Sequence, residues 1–199
     1  MTSPSILSQF SQLELEELIT ENPSLRGYLQ GYLGELALRK RLQQMPNVLE
    51  IEKIPDKDPL KGDLRLLYRN ELVTIEVKSL LSDSIRRDTL NDTWTGRVLA
   101  KNTDKRLVNL VGAGEVLTSS IIKGTFDILA ICCYPVDSTW EFLFMDNIHL
   151  PEVSPLLPGL VKTSFLINPE VTPFVTKNLT DLLDSVVCNR LSKSVKIHG

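Results

Sequence analysis

The sequence has no apolar run near the roughly 20 residues that a membrane-spanning helix requires, so a transmembrane protein is not expected. The opening residues, MTSPSILSQF, lack the basic and apolar regions of a secretory leader, and none is expected. Cysteine is scarce and odd in number. Cys132, Cys133 and Cys188 sit in apolar settings, which excludes a disulfide framework and reads as reduced core residues of a cytoplasmic protein. There are two histidines, His149 and His198, and the adjacent Cys132–Cys133 pair has no zinc-ligand spacing, so a structural zinc site is not expected. His149 reads as an ordinary strand-end residue and His198 as part of a terminal tail. Overall positive charge is also missing, since the net charge is −3. Any attraction for a polyanion must therefore be local. Residues 84–106 supply such a region: Arg86, Arg87, Arg97, Lys101, Lys105 and Arg106 against Asp88, Asp92 and Asp104 give +3, leaving −6 for the rest.

What remains is an ordinary globular composition of 199 residues, 42% hydrophobic and 24% charged, without repeats or low-complexity tracts. Residues 1–199 read as one domain, with 1–21 as an N-terminal helical extension. Partial helical spacing of Leu7, Phe10, Leu13, Leu15 and Leu18 predicts an acidic amphipathic helix over 7–20, also suited to an oligomer contact. Asn22–Pro23 reads as a cap followed by proline at the first helical position, opening a helix to about Gln44. A short edge strand is expected over 47–54, and mixed helical character over 81–116. The run GTFDILAICCYP, 124–135, has the length and bounds of a buried central strand, with a partner strand over 139–145. Asp127 opens that central strand and reads as a solvent-facing strand-end residue. A proline-rich region over 146–176 carries one short strand at 162–167, and a final helix covers 180–191.

The most informative stretch is KGDLRLLYRNELVTIEVKSL, residues 61–80. Asp63 to Tyr68 and Leu72 to Lys78 read as two strands joined by a tight turn. Side chains alternate along a strand, so Val73, Ile75 and Val77 share one face and Thr74, Glu76 and Lys78 the other. A two-residue turn, whether Arg69–Asn70 or Asn70–Glu71, places Asp63 on the face of Glu76 and Lys78. An odd-length loop would move it to the opposite face. Two converging carboxylates repel unless protonated or bound to a cation, and hard oxygen ligands suit Mg²⁺. A lysine beside them can orient an attacking water or stabilise developing negative charge. The plainer reading of the same residues is a solvated hairpin face with a weak Glu/Lys pair.

Asp63 followed by Glu76-Val77-Lys78 resembles the core motif of the PD-(D/E)XK nuclease superfamily, which includes most type II restriction endonucleases and several repair and recombination nucleases. The resemblance covers residues 27–135. It departs where Gly62 stands, since the family often has proline there. Asp56 and Asp58, in the turn-like loop IPDKDPLKG, are alternatives; Asp63 is preferred because it opens an apolar strand.

The resemblance implies an α/β fold with a mixed four- to five-stranded sheet flanked by helices on both faces. It implies Mg²⁺-dependent hydrolysis of DNA phosphodiesters, with Asp63, Glu76 and the Val77 backbone as metal ligands and Lys78 acting on the water. Glu35, in GYLGELALRKRL, looks like the glutamate that many members carry on the helix before the hairpin; the alternative is a surface residue paired with Arg39. The basic residues of 84–106 are then candidates for DNA phosphates. A type II restriction endonuclease acting as a homodimer is the first expectation. A repair or junction-resolving nuclease, or a catalytically silent nucleic-acid-binding module, are the alternatives.

Overall fold

The computed structural model describes residues 9–55 and 62–197, with side chains described as far as Arg190. In chain order the elements are α1 (Gln12–Glu21), α2 (Pro23–Leu42), β1 (Val48–Lys53), β2 (Leu64–Tyr68), β3 (Glu71–Ser79), β4 (Arg86–Asp88), β5 (Thr93–Leu99), β6 (Lys101–Leu110), β7 (Gly114–Ser120), β8 (Ile128–Cys132), α3 (Tyr134–Asp137), β9 (Phe142–Asp146), β10 (Ser164–Ile167), β11 (Val175–Thr176) and α4 (Leu179–Ile197). Six strands form one mixed sheet in the order β1-β2-β3-β8-β9-β11, in which β3 and β8 are parallel and the other neighbours antiparallel.

The hairpin at the centre of the sequence forms with a two-residue turn. Arg69 and Asn70 both have positive φ, 49° and 66°, as the twist of a tight hairpin requires. Tyr68 therefore pairs with Glu71 and Leu64 with Ile75. On β3 the residues Val73, Ile75 and Val77 turn to one face and are buried there with Ile128, Ala130 and Cys132 of β8. Two helices cover this face. α2 contributes Leu38 and Leu42, and α4 contributes Leu179, Leu183, Val186 and Val187. Leu129 and Ile131 of β8 turn the other way, into a second core with Val98, Val161 and Ile167. Burial on both faces explains why 124–135 is apolar without alternation.

A mixed α/β sheet with helical cover is thus present, with differences in detail. The sheet has six strands, because the two-residue β11 adds to the far edge. The second face is covered by a three-stranded sheet, β10-β5-β4, and by loops rather than by helices. Two of its three strands, β4 and β5, come from 81–116, which apart from a short 3-10 turn at Ser82–Ser84 is strand rather than helix, and β10 comes from the proline-rich region. In β5, Gly96 and Val98 are buried while Arg97 is exposed, a period of two. β6 and β7 form a separate two-stranded ribbon whose turn contains Gly112 and Gly114, at φ 80° and 74°.

Smaller corrections have local causes. Asn22 precedes Pro23 at the start of α2, but its side chain makes no cap there; it donates instead to the Leu18 carbonyl at 2.7 Å, closing the end of α1. α1 begins at Gln12 behind a Ser11–Glu14 capping box. Cys132 and Cys133 are buried, whereas Cys188 is exposed on α4 and is not a core residue. Burial pushes the Cys133 thiol up to about 12. His149 stacks on Phe174 at 3.9 Å. Asp127 is not a solvent residue: it accepts from the Thr74 backbone at 2.8 Å and pairs with Arg190 of α4. Asp56, Asp58 and His198 lie outside the described residues. Among the described residues no helix is long and apolar enough to cross a membrane.

Candidate functional site

Asp63 sits one position before the Leu64–Ile75 pair, opposite Glu76. Its backbone is gripped on both sides: its N–H donates to Ile75 at 2.8 Å, and its carbonyl accepts from Ile54 at 2.9 Å. One carboxylate oxygen, Oδ2, accepts from the Val77 backbone N–H at 2.6 Å. Gly62, just before it, has φ +109°, and a Cβ there would lie 3.1 Å from the Ile75 carbonyl oxygen. Proline, locked near φ −65°, has no access to this conformation. The departure from the family pattern at Gly62 is therefore built into the way the chain enters β2.

Glu76 is 7% exposed, and Lys78 Nζ lies 2.5 Å from its Oε1. Glu35 reaches in from α2, where Lys53 of β1 holds its Oε2 at 2.6 Å. The alternative partner Arg39 does not make this bond. The same Lys53 ammonium lies 4.7 Å from the centre of the Tyr32 ring.

The electrostatics tie these groups together. Burial first, then Glu76 and, more weakly, Glu35 push the Asp63 carboxyl up to about 7 against the opposing pull of Lys78 and the Val77 N–H. Burial is the largest influence on Lys78 and acts to lower its pKa. Glu76, Asp63 and Glu35 outweigh it together, so Lys78 is held above the ordinary lysine value and stays charged.

A cavity of about 510 Å³ opens over this cluster. Its floor is Asp63, Val77 and Lys78; one wall is α2 through Tyr28, Tyr32 and Glu35; the other is the β5–β6 corner through Leu99, Lys101 and Thr103. Of the six basic residues read as DNA contacts, Lys101 lines this cavity. Arg86 and Arg87 lie on β4, Arg97 on β5, and Lys105 and Arg106 on the ribbon, so the segment does not present them as one helical stripe. The Arg86 and Arg87 guanidinium groups are engaged by backbone carbonyls, including that of Val136 for Arg87.

Among the described residues no three His, Cys, Asp or Glu side chains form a closed metal-binding group. The donor set still suits Mg²⁺, which is commonly held by one or two carboxylates and completes its shell with water and substrate oxygens. Asp63 and Glu76 are both oxygen donors and are opposed across the hairpin, and repulsion from Glu76 adds to burial in holding the Asp63 carboxyl high. A divalent cation between them would remove that repulsion.

Lys53, Tyr28, Tyr32, Ser79 and Thr103 were not identified as site residues from the sequence. Lys53 is on a strand that was legible, but its partner Glu35 comes from a separate helix. Tyr28 and Tyr32 lie seven and three residues before Glu35 on the same helix, with no sign in the sequence of which way their rings face.

No protein-family model matches this chain, and no curated protein does. Among solved structures it is similar to a bacterial homing endonuclease, I-Ssp6803I, with 18% identity and a TM-score of 0.38 over 60% of this chain and 68% of that one.

Proposed function

We propose that the protein is a Mg²⁺-dependent endonuclease acting on DNA. The observation that carries this reading is the meeting of Asp63, Lys78 and Glu35 on the lining of one open cavity, with the buried Glu76 ion-paired to Lys78. Asp63 and Glu76 would hold the metal, with the Val77 backbone carbonyl as a further donor. The metal, when bound, would supply positive charge to offset the negative charge building on the scissile phosphate.

The remaining work belongs to the chain itself. Lys78 is charged, partly buried and tethered by Glu76, so its ammonium is aimed at the cavity floor without being free to swing into solvent. There it can orient an attacking water and stabilise negative charge as it develops on the phosphate. The Val77 N–H fixes one oxygen of Asp63 and leaves the other for a ligand. Lys53 holds Glu35 in place, so that a third carboxylate stands at the α2 wall to order water. Lys101 faces the entering backbone from the opposite wall.

Within this class the resemblance points first to a type II restriction endonuclease working as a homodimer. A structure-directed nuclease of the repair or junction type is the second reading, favoured by the tyrosines on the α2 wall.

The test compares Glu76→Ala with Lys78→Ala for Mg²⁺ affinity, DNA affinity in Ca²⁺, and plasmid cleavage. Loss of a ligand should weaken metal binding and cleavage together. Loss of Lys78 should leave metal binding intact or slightly tighter, because like charges repel, while cleavage falls on the order of 10²-fold or more. A Lys78→Ala variant that cleaves as well as the parent sinks the reading. Discrete plasmid bands would favour the restriction reading over the structure-directed one.

A further inference from the structure

Tyr28 and Tyr32 stand one helical turn apart on α2, so they project from the same side of the helix. Both line the cavity over Asp63 and Lys78, and both are open to solvent, at 63% and 54% exposure. Large aromatic rings are ordinarily drawn into a core or an interface. Here the helix turns its leucines, Leu38 and Leu42, into the core and leaves these rings on the cavity wall. Gly27 and Gly31 lie beside them, and a Cβ at either would meet nothing within 4 Å. The wall therefore has open space next to its rings. One face of Tyr32 carries the Lys53 ammonium at 4.7 Å, which leaves its other face for a flat partner. Across the cavity stands Lys101, exposed and cationic.

Aromatic rings on one side and a cation on the other form the combination that binds unpaired nucleic acid. Bases stack on the rings while the backbone follows the charge. A continuous duplex keeps its bases paired and stacked on each other, and offers no open π-face to such a wall. Resting on the nuclease reading above, we propose that Tyr28 and Tyr32 form a stacking platform for an unstacked nucleobase beside the scissile phosphate. The preferred substrate is DNA with an unpaired or extruded nucleotide at the cleavage point. Tyr28 and Tyr32 are specificity-determining residues in this assignment, and the phosphate chemistry stays with Asp63, Glu76 and Lys78.

The experiment uses the full chain with Ca²⁺ in place of Mg²⁺ and oligonucleotides carrying 2-aminopurine, whose fluorescence is quenched by stacking. Three substrates are compared: a single strand, a flapped duplex with the probe in the flap, and a continuous duplex with the probe inside. The parent should quench the probe in the single strand and flap. Quenching there alone identifies an unpaired strand as the source of the base. A fluorescence change also in the continuous duplex identifies extrusion, and either result supports the platform.

Tyr28→Ala/Tyr32→Ala should abolish the protein-induced quench and weaken binding of the unpaired substrates on the order of 10-fold per ring. Tyr28→Phe/Tyr32→Phe, which keeps the rings, should retain both properties. No quench by the parent on any substrate overturns the platform, as does a quench that survives the double alanine change. A double alanine variant that alters only self-association, measured by sedimentation, assigns the rings to a second copy of the chain and also overturns it. Cleavage by the parent in Mg²⁺ is scored separately. Cleavage without quenching removes the platform and leaves the nuclease, whereas quenching without cleavage removes the nuclease reading.

Discussion

Asp63 holds the sharpest prediction at the scale of single residues. Its carboxyl is raised to about 7 by burial first and by Glu76 next, against about 3.9 in an unfolded chain. Below about pH 4 both states are protonated and the shift has no effect on stability. Between about pH 4 and 7 the unfolded chain releases a proton that the folded chain retains, so stability falls as pH rises, and the full penalty stands above 7. Asp63→Asn keeps an oxygen for the Val77 N–H and removes the charge. In metal-free buffer at pH 8 it should be more stable than the parent, by roughly 1–4 kcal/mol, with the gap closing near pH 4 and cleavage lost throughout. Urea unfolding at the two pH values measures this, and equal stability at pH 8 would refute the strained pair. The sequence made Asp63, Glu76 and Lys78 legible because two-residue parity is simple arithmetic once the turn is recognised. Lys53 was not legible in the same way. Nothing local ties a strand lysine to a glutamate on a preceding helix, and only the packing of α2 against the sheet brings them together.

Among the elements, α4 is fastened to the sheet by polar bonds as well as by its leucines and valines. Tyr68 is fully buried in β2, and its hydroxyl donates to Asp184 of α4 at 2.7 Å. Asp184 also accepts from Arg69 at 3.1 Å, from the hairpin turn itself. Asp184→Ala should cost about 1–3 kcal/mol, the usual penalty for leaving a buried donor unsatisfied. Tyr68→Phe/Asp184→Ala should recover part of that loss. Thermal unfolding of the single and double variants checks this; equal melting temperatures for parent and Asp184→Ala would mean that water replaces the partner.

The segment 81–116 shows where reading of elements fails. Its helical appearance came from scattered Ile, Leu and Val among charges. Its real signals were the alternation around Gly96-Arg97-Val98 and the glycines of 112–114, which need positive φ. One face of the β6–β7 ribbon is exposed, with Leu107 at 59% and Leu117 at 64%, so the contrast between buried and exposed positions that marks a strand is weak there.

At the scale of the whole molecule, the proposed nuclease reading requires a chain of net charge −3 to admit a polyanion. DNA affinity should fall steeply with salt, with each phosphate contact adding roughly 0.7–0.9 to the logarithmic slope. Lys101→Ala, on the cavity wall, should lower that slope by about one contact. Arg87→Ala should leave it unchanged, because the Val136 carbonyl already engages that guanidinium. Titrations at several salt concentrations decide the matter, and an unaltered slope for Lys101→Ala would move the DNA path away from the cavity. The mixed α/β character was legible from the alternating hairpin and the apolar 124–135 run. The cover of the second face was not, since it depends on strands whose own pattern is faint.

The two margins of the six-stranded sheet bear on how one copy could meet another. β1, at one margin, carries Glu50, Glu52 and Lys53 and has a break in register between Val48 and Glu50. β11, at the other, is two residues long. Charge, a bulge and extreme brevity each discourage a further strand from docking edge-on. A dimer of this protein is therefore expected to be held by side-chain packing, with each sheet ending inside its own chain.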